Sequence, residues 1–311
     1  MVKIHTSGET VYDIIFKNGR PISGNPGGSV LNCSVSLGRL GLSPLFLTDF
    51  CNDILGNNIK QFLKNNGVDS KCVIDDINKK TSVALAFLDD NNNANYDFYK
   101  SSPKSCDVDK FDSNFNENDI LLFGSFYGIM PQIREGMKNL IYNAKSNNTI
   151  IIYDPNFRTP HLPQLPKVLP FIEDNIKNAT IIKGSNEDFN LIFGSKTQEE
   201  AFDAIKKINQ NAMIIYTKGE KGCCCLHKNK IYSITAPKIS PISTIGAGDN
   251  FNAGIIYGLV KNNIKFKDLF NDIKEEVILE ILNIATTFAQ NVCLSQDNYL
   301  SNEFVKEFLS K

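Results

Sequence analysis

Asp249 stands in a stretch that reads Ser243-Thr244-Ile245-Gly246-Ala247-Gly248-Asp249, followed by Asn250-Phe251-Asn252-Ala253-Gly254. Gly246 and Gly248 keep side chains out of the way of an approaching ligand. The apolar-periodic run behind them puts the loop at a helix N-terminus. Unpaired N–H groups and the positive end of the helix dipole attract an anion such as phosphate there. A carboxylate beside a phosphate repels it. Asp249 makes chemical sense in that place if it takes the proton of a hydroxyl attacking the phosphorus. Read alone, the same residues also fit an ordinary Gly-rich turn with Asp as a cap.

Two further places offer chemistry. Gly27-Gly28-Ser29-Val30-Leu31-Asn32 opens the first long helical segment. Paired glycines let a backbone approach a ligand closely, with Asn32 on the first turn beneath them. A plain loop before a helix fits equally well. Asp13 sits among Val11, Ile14, Ile15 and Phe16, so it needs a partner, points into a cleft, or lies exposed on an edge. A carboxylate accepts two hydroxyl hydrogen bonds, which suits a polyol. There is no Gly-x-x-x-x-Gly-Lys-[Ser/Thr] run, and the first strand leads into Gly8-Glu9-Thr10-Val11-Tyr12-Asp13 rather than Gly-x-Gly-x-x-Gly. Those two nucleotide-binding fingerprints are therefore excluded.

The elements that must position these residues alternate. Strand-like runs at 43–50, 119–124, 149–154, 180–183 and 213–217 are separated by helical spacing at 31–40, 55–66, 132–144, 187–193 and 199–209. Such alternation predicts crossover units and a largely parallel sheet covered on both faces. The C-terminal part reads as helix at 247–261 and 275–292. Two segments break the pattern. Residues 11–16 and the chain after Asn18-Gly19 read as a hairpin, and 81–88 pairs with 96–100 across the polar stretch 89–95. The expectation is one α/β domain over 1–311, carrying a small β lid from about 9–25 and 81–100.

Composition narrows the class. The 311 residues are 42% hydrophobic and 22% charged, with Lys+Arg 33 against Asp+Glu 34 and a net charge of −1. That is an ordinary globular composition. Without a basic excess, nucleic acid is not an expected partner. No apolar stretch approaches the roughly 20 residues of a membrane span. The eight cysteines form no Cys-x-x-Cys pair, and His5, His161 and His227 are not spaced as zinc partners. Free thiols and an N-terminus without an apolar signal region point to the cytoplasm.

Taken together, these residues resemble the ribokinase-like (PfkB) carbohydrate kinases over nearly the whole chain. Thr244-x-Gly246-Ala247-Gly248-Asp249 resembles that family's C-terminal signature, and Gly27-Gly28 with Asn32 its substrate loop. Thr217-Lys218-Gly219-Glu220-Lys221-Gly222 resembles its nucleotide segment, and Asp154-Pro155-Asn156-Phe157-Arg158 its Asp-x-Asn-x-Arg segment. The resemblance implies a three-layer α/β/α sandwich with a mostly parallel sheet and a β-sheet lid over a sugar. It implies transfer of the ATP γ-phosphoryl group to a primary hydroxyl. Asp249 would be the base, with Gly246, Ala247 and Gly248 as the anion hole. Asp13, Gly27, Gly28, Asn32, Phe98 and Arg158 would contact the sugar. Thr217, Gly219, Gly222, Thr244 and Asn283 would contact the nucleotide.

Two departures matter. Ser243 stands where the family usually has Asp, which puts monovalent-cation activation in doubt. Ser185-Asn186-Glu187-Asp188 replaces the Asn-x-x-Glu motif tied to magnesium through water, leaving Asp188 as the carboxylate behind that ion. Magnesium is still expected, because it chiefly binds the nucleotide phosphates. Tyr96-Asp97-Phe98-Tyr99-Lys100 resembles the aromatic lid strand of fructokinase-like members, so fructose is the leading substrate. Ketodeoxygluconate, ribose, a nucleoside, or a sugar bound without catalysis are the alternatives. Consecutive apolar residues in 11–16 and 83–88 leave side chains on both lid faces, so a homodimer through the lid is expected.

Overall fold

The computed structural model describes residues 2–70, 73–76, 80–89, 94–99 and 114–310. Strand β1 (Ile4–Ser7) leads into the hairpin β2 (Val11–Lys17) and β3 (Arg20–Gly27), then α1 (Ser29–Arg39), β4 (Leu45–Cys51), α2 (Ile54–Asn65) and β5 (Val73–Asp76). A second antiparallel pair, β6 (Val83–Leu88) and β7 (Ala94–Tyr99), precedes β8 (Ile120–Gly124), α3 (Arg134–Ser146), β9 (Ile150–Asp154) and α4 (Leu165–Asn178). Next come β10 (Ile181–Ser185), α5 (Asn186–Phe193), α6 (Gln198–Ile208), β11 (Met213–Thr217), β12 (Cys223–His227) and β13 (Lys230–Ile234). The chain closes on α7 (Ala247–Lys261), α8 (Glu275–Cys293) and α9 (Asn302–Leu309).

A nine-stranded sheet runs in the order β13-β12-β11-β10-β9-β8-β1-β4-β5. It is parallel from β11 to β5 and antiparallel at β12 and β13. Its central strands are buried on both faces, so successive residues feed two separate cores. Ile120 and Leu122 of β8 pack with α1, α7 and α8, whereas Leu121 and Phe123 pack with α3 and α4. The cysteine run obeys the same alternation: Cys223 and Cys225 enter the first core and Cys224 the second. This is the α/β/α sandwich anticipated.

A second sheet of four strands has the order β3-β2-β6-β7. Asn18 (φ 52°) and Gly19 (φ 73°) both take left-handed backbone in the β2–β3 turn, the pairing that matches the twist of a two-residue hairpin. β2 pairs parallel with β6, which joins the two hairpins. Lys100, Asn91 to Asn93, Cys72 and Cys106 lie outside the described residues.

Several elements go beyond the sequence reading. α1 begins at Ser29, two residues earlier than the apolar pattern indicates. β12, β13 and α9 were not anticipated. Nor was α4, whose Pro166 and Pro170 are breaker signals. Yet Val168, Ile172 and Ile176 recur every fourth residue and are fully buried. Pro166 falls in the first turn, where its missing N–H costs nothing. Burial of that stripe outweighs the one bond lost at Pro170.

Candidate active site

The loop before α7 ends in Gly246, whose φ of 81° is left-handed; a Cβ there would stand 2.5 Å from the Asn298 carbonyl. Asn250 N donates to Gly246 O at 2.9 Å, and Ala247 N makes a long 3.4 Å contact with Thr244 O. The amides ahead of Asn250 therefore lie at the open end of the helix. Asp249, in the first turn, is buried. Its Oδ1 accepts from Ser29 Oγ at 2.7 Å and its Oδ2 from Asn32 Nδ2 at 2.8 Å. Both donors come from the first turn of α1, so α1 and α7 orient the carboxylate together. Each carboxylate oxygen keeps a second lone pair. Burial pushes Asp249 above the usual carboxylate range, while the Asn32 and Ser29 hydrogen bonds and the Lys183 charge pull it back. A carboxylate so held can take a proton.

At the C-terminal ends of β9 and β10 a second polar group lies beside the first. Lys183 Nζ donates to Asp154 Oδ2 at 2.7 Å, and Asn252 Nδ2 of α7 donates to the same oxygen at 2.7 Å. All three side chains are buried. Burial would strip Lys183 of its proton, but the neighbouring carboxylates Asp154, Asp188 and Asp249 more than offset this and raise it. Asp188 closes a capping box on α5: its Oδ2 accepts from Ser185 N and Oγ, and its own N–H returns to Ser185 Oγ. Its Oδ1 is buried and has no hydrogen-bond partner among the described residues. Burial and the Asp154 charge push Asp188 up.

The four-stranded sheet brings Asp13 to this cluster. Burial raises its carboxyl to about 7, with the Asp249 charge adding to the effect. A Cβ on Gly27 would stand 2.0 Å from Asp13 Oδ2, so a side chain at 27 would displace the carboxylate. Gly28 has φ +127°, and a Cβ there would meet Glu9 O at 2.4 Å. Asp13 pairs with Ala84, and Ala84 with Phe98. Register partners share a face, so Asp13 and Phe98 flank a methyl floor roughly 10 Å apart, two strand spacings. Beside Gly28 a recess opens between the two sheets, lined by Glu9, Thr10, Asp49, Thr81, Phe126 and Met130.

The remaining candidates are more dispersed. Thr217 ends β11 half-buried, and Gly219 follows it, exposed with φ +56°. Gly222 has a packing reason of its own, since a Cβ would meet the Ile234 carbonyl at 2.0 Å. Thr244 is exposed in the loop before Gly246. Arg158 and Asn283 are exposed, and among the described residues no hydrogen bond or ion pair ties either side chain to the cluster. Ser243 Oγ accepts from Ile245 N at 3.2 Å. Three residues the sequence reading passed over belong to the cluster: Ser29, Lys183 and Asn252. Lys183 carried a signal, a cation inside the apolar run Ile181-Ile182-Lys183. Ser29 and Asn252 carried none, because their partners are more than 90 residues away.

Residues 3–303 match the pfkB family carbohydrate kinase pattern. The chain is 27% identical over 256 residues to a fructokinase of Rhizobium leguminosarum bv. trifolii, covering 81% of this chain and 77% of that protein. It is 26% identical over 258 residues to a fructokinase of Vibrio alginolyticus, covering 82% and 83%. Among solved structures, the fructokinase of Vibrio cholerae O395 with fructose, ADP and calcium ion bound superposes with a TM-score of 0.86 at 21% identity, over 99% of both chains. The aminoimidazole riboside kinase of Salmonella enterica gives 0.85 at 18% identity, again over 99% of both.

Proposed function

The chain belongs to the pfkB family of carbohydrate kinases, and from that premise we propose that it transfers the γ-phosphoryl group of ATP to a primary hydroxyl of fructose. Sugar phosphotransfer follows from the family; the sugar, the residue roles and the assembly are our reading. The observation that carries it is Asp249, buried at the N-terminus of α7 and aimed by Ser29 and Asn32. In this reading Asp249 takes the hydroxyl proton as the oxygen attacks, and the backbone amides of Gly246, Ala247 and Gly248 receive the charge of the transferred group. Asp13, with Gly27, Gly28 and Asn32 around it, accepts sugar hydroxyls, and Phe98 covers the ring across the Ala84 floor. The four-stranded sheet is then the lid. Thr217, Gly219, Gly222, Thr244 and Asn283 line the nucleotide's path, and Arg158 contacts the substrate from the rim.

Magnesium fits the residues present. Among the described residues no cluster of His, Cys, Asp or Glu is built to hold a metal directly, so the nucleotide phosphates would carry the ion. The unpartnered Asp188 Oδ1 would accept from one of its waters. The ion neutralises phosphate charge when bound. Fructose is favoured because the curated relatives named above are fructokinases and because Phe98 shares a face with Asp13. Among the described residues no helix is long and apolar enough to cross a membrane, and we place the protein in the cytoplasm. The opposite lid face carries Phe16, Leu85, Phe87 and Tyr99, with Phe87 43% and Tyr99 63% exposed. This patch supports a homodimer through the lid.

ADP release with ATP, magnesium and a panel of fructose, ketodeoxygluconate, ribose, other hexoses and a nucleoside tests the reading. The highest kcat/KM is expected for fructose. Turnover of another sugar alone would replace the substrate, and binding without turnover would make the chain a sensor.

A further inference from the structure

The Lys183 ammonium has no part in the reaction as described so far. It is a full positive charge, 4% exposed, at the C-terminal ends of parallel strands, where open α/β sheets bind their ligands. Among the described residues its hydrogen bond runs to Asp154 Oδ2, which leaves two of its three N–H donors. Asn252 holds that same oxygen from α7, so the ion pair is anchored to the helix that presents Asp249. A Cβ at Gly248 would stand 3.2 Å from Lys183 Nζ, and among the described residues no other atom beyond its own helix backbone and chain neighbours lies within 4 Å. Gly248 does not take left-handed backbone, so its conformation does not demand glycine. What the missing side chain leaves open is the passage from Nζ to the first turn of α7.

A buried ion pair is weak evidence for stability, since well-packed apolar residues usually serve as well. The glycine opening has no purpose for a purely structural pair. We propose that Lys183 reaches past Gly248 to donate to the phosphoryl group as it passes from ATP to the sugar, a catalytic contact resting on the kinase reading above. The sugar oxygen forms its bond to the γ-phosphorus while the bond from that phosphorus to the β,γ-bridging oxygen breaks. The hydroxyl proton goes to Asp249, and the electron pair of the broken bond stays on the β-phosphate of ADP. Lys183 keeps its proton throughout and supplies positive charge where the phosphoryl oxygens crowd. The surrounding carboxylates hold it ionised in a site that burial alone would neutralise.

The test uses Lys183→Met, Lys183→Arg and Gly248→Ala in the full chain. Each is assayed for kcat and KM with fructose, for ADP affinity, and for affinity toward the planar mimic formed by ADP, magnesium, aluminium and fluoride. Lys183→Met is expected to lower kcat by about 10²–10³-fold and to weaken the mimic in parallel, with ADP affinity changed less than about threefold. Lys183→Arg should restore part of the loss. Gly248→Ala leaves the ion pair intact but sets a methyl in the passage, and is expected to cut kcat at least about tenfold with unchanged melting temperature. A folded Lys183→Met with kcat within threefold of wild type, or an equal loss of ADP and mimic affinity, overturns the proposal. If Lys183→Met does not fold, Gly248→Ala decides, and wild-type kcat in that variant overturns it. The mimic needs no sugar, so Lys183 is judged even if fructose is the wrong substrate.

Discussion

The Asp249 charge helps to raise Asp13, yet the two carboxylates are held differently. Asp249 has Ser29 and Asn32 on its two oxygens, the arrangement on which its proposed role as a base relies. Asp249→Asn preserves the shape and those neighbours but cannot take a proton. Turnover should fall about 10²–10⁴-fold with ATP affinity unchanged, as single-turnover assays and calorimetry would show; activity within threefold of wild type removes it from the mechanism. Asp13 is lifted from 3.8 to about 7 by burial and by Asp249. Between those values the folded protein retains a proton that the unfolded chain has lost. Its contribution to stability therefore declines as pH rises from about 4 to 7. Asp13→Asn should melt several degrees higher than wild type at pH 8 and equally at pH 4. The same variant should weaken fructose by roughly one to two decades and flatten the rise in sugar KM below pH 7. Ser243 is neutral and already bonded to Ile245 N. Replacing potassium by tetramethylammonium at constant ionic strength should thus change kcat less than twofold.

At the scale of elements, the site depends on two helix starts that meet. α1 begins one residue after a glycine at φ +127°, against the Glu9 carbonyl, and this approach sets where Ser29 and Asn32 point. Gly28→Ala should cost about 1–3 kcal/mol in urea unfolding and should loosen sugar binding along with it. A loss below about 0.5 kcal/mol would show that α1 adjusts freely. The strand ends β9 and β10 were legible as strands from their β-branched runs. That Asp154 and Lys183 face one another was not, because a register between neighbouring strands is decided by the sheet. α4 shows the opposite failure. Its proline signals are real, and only the depth of the core beneath Val168, Ile172 and Ile176 makes them tolerable.

The whole molecule presents an apolar lid face to solvent. Light scattering at micromolar concentration should give twice the 34.7 kDa of one chain; a monomer would sink the lid interface. Ile15 lies on the Asp13 face and Phe87 on the other, stacked on Phe16 with ring centroids 4.9 Å apart. Phe87→Asp should therefore dissociate the dimer, whereas Ile15→Asp should leave it assembled. Dissociation by Ile15→Asp alone would put the contact on the sugar side.

What the residues determined unaided was whatever depends on neighbours along the chain. The alternation of strands and helices, the Asn18-Gly19 turn, the glycine loop before α7 and the family's motif order are all local patterns. They sufficed to anticipate the layered sheet and to single out Asp249, Asp13 and Gly28. Tertiary structure decided which distant groups share a space. It brought Ser29 and Asn32 onto an acceptor more than 200 residues away, closed Asp154 between Lys183 and Asn252, and aligned Asp13 with Phe98 through Ala84. Burial, and with it the carboxyl of Asp13 raised to about 7, exists only once those surfaces close, because desolvation is a property of the surroundings and not of the residue.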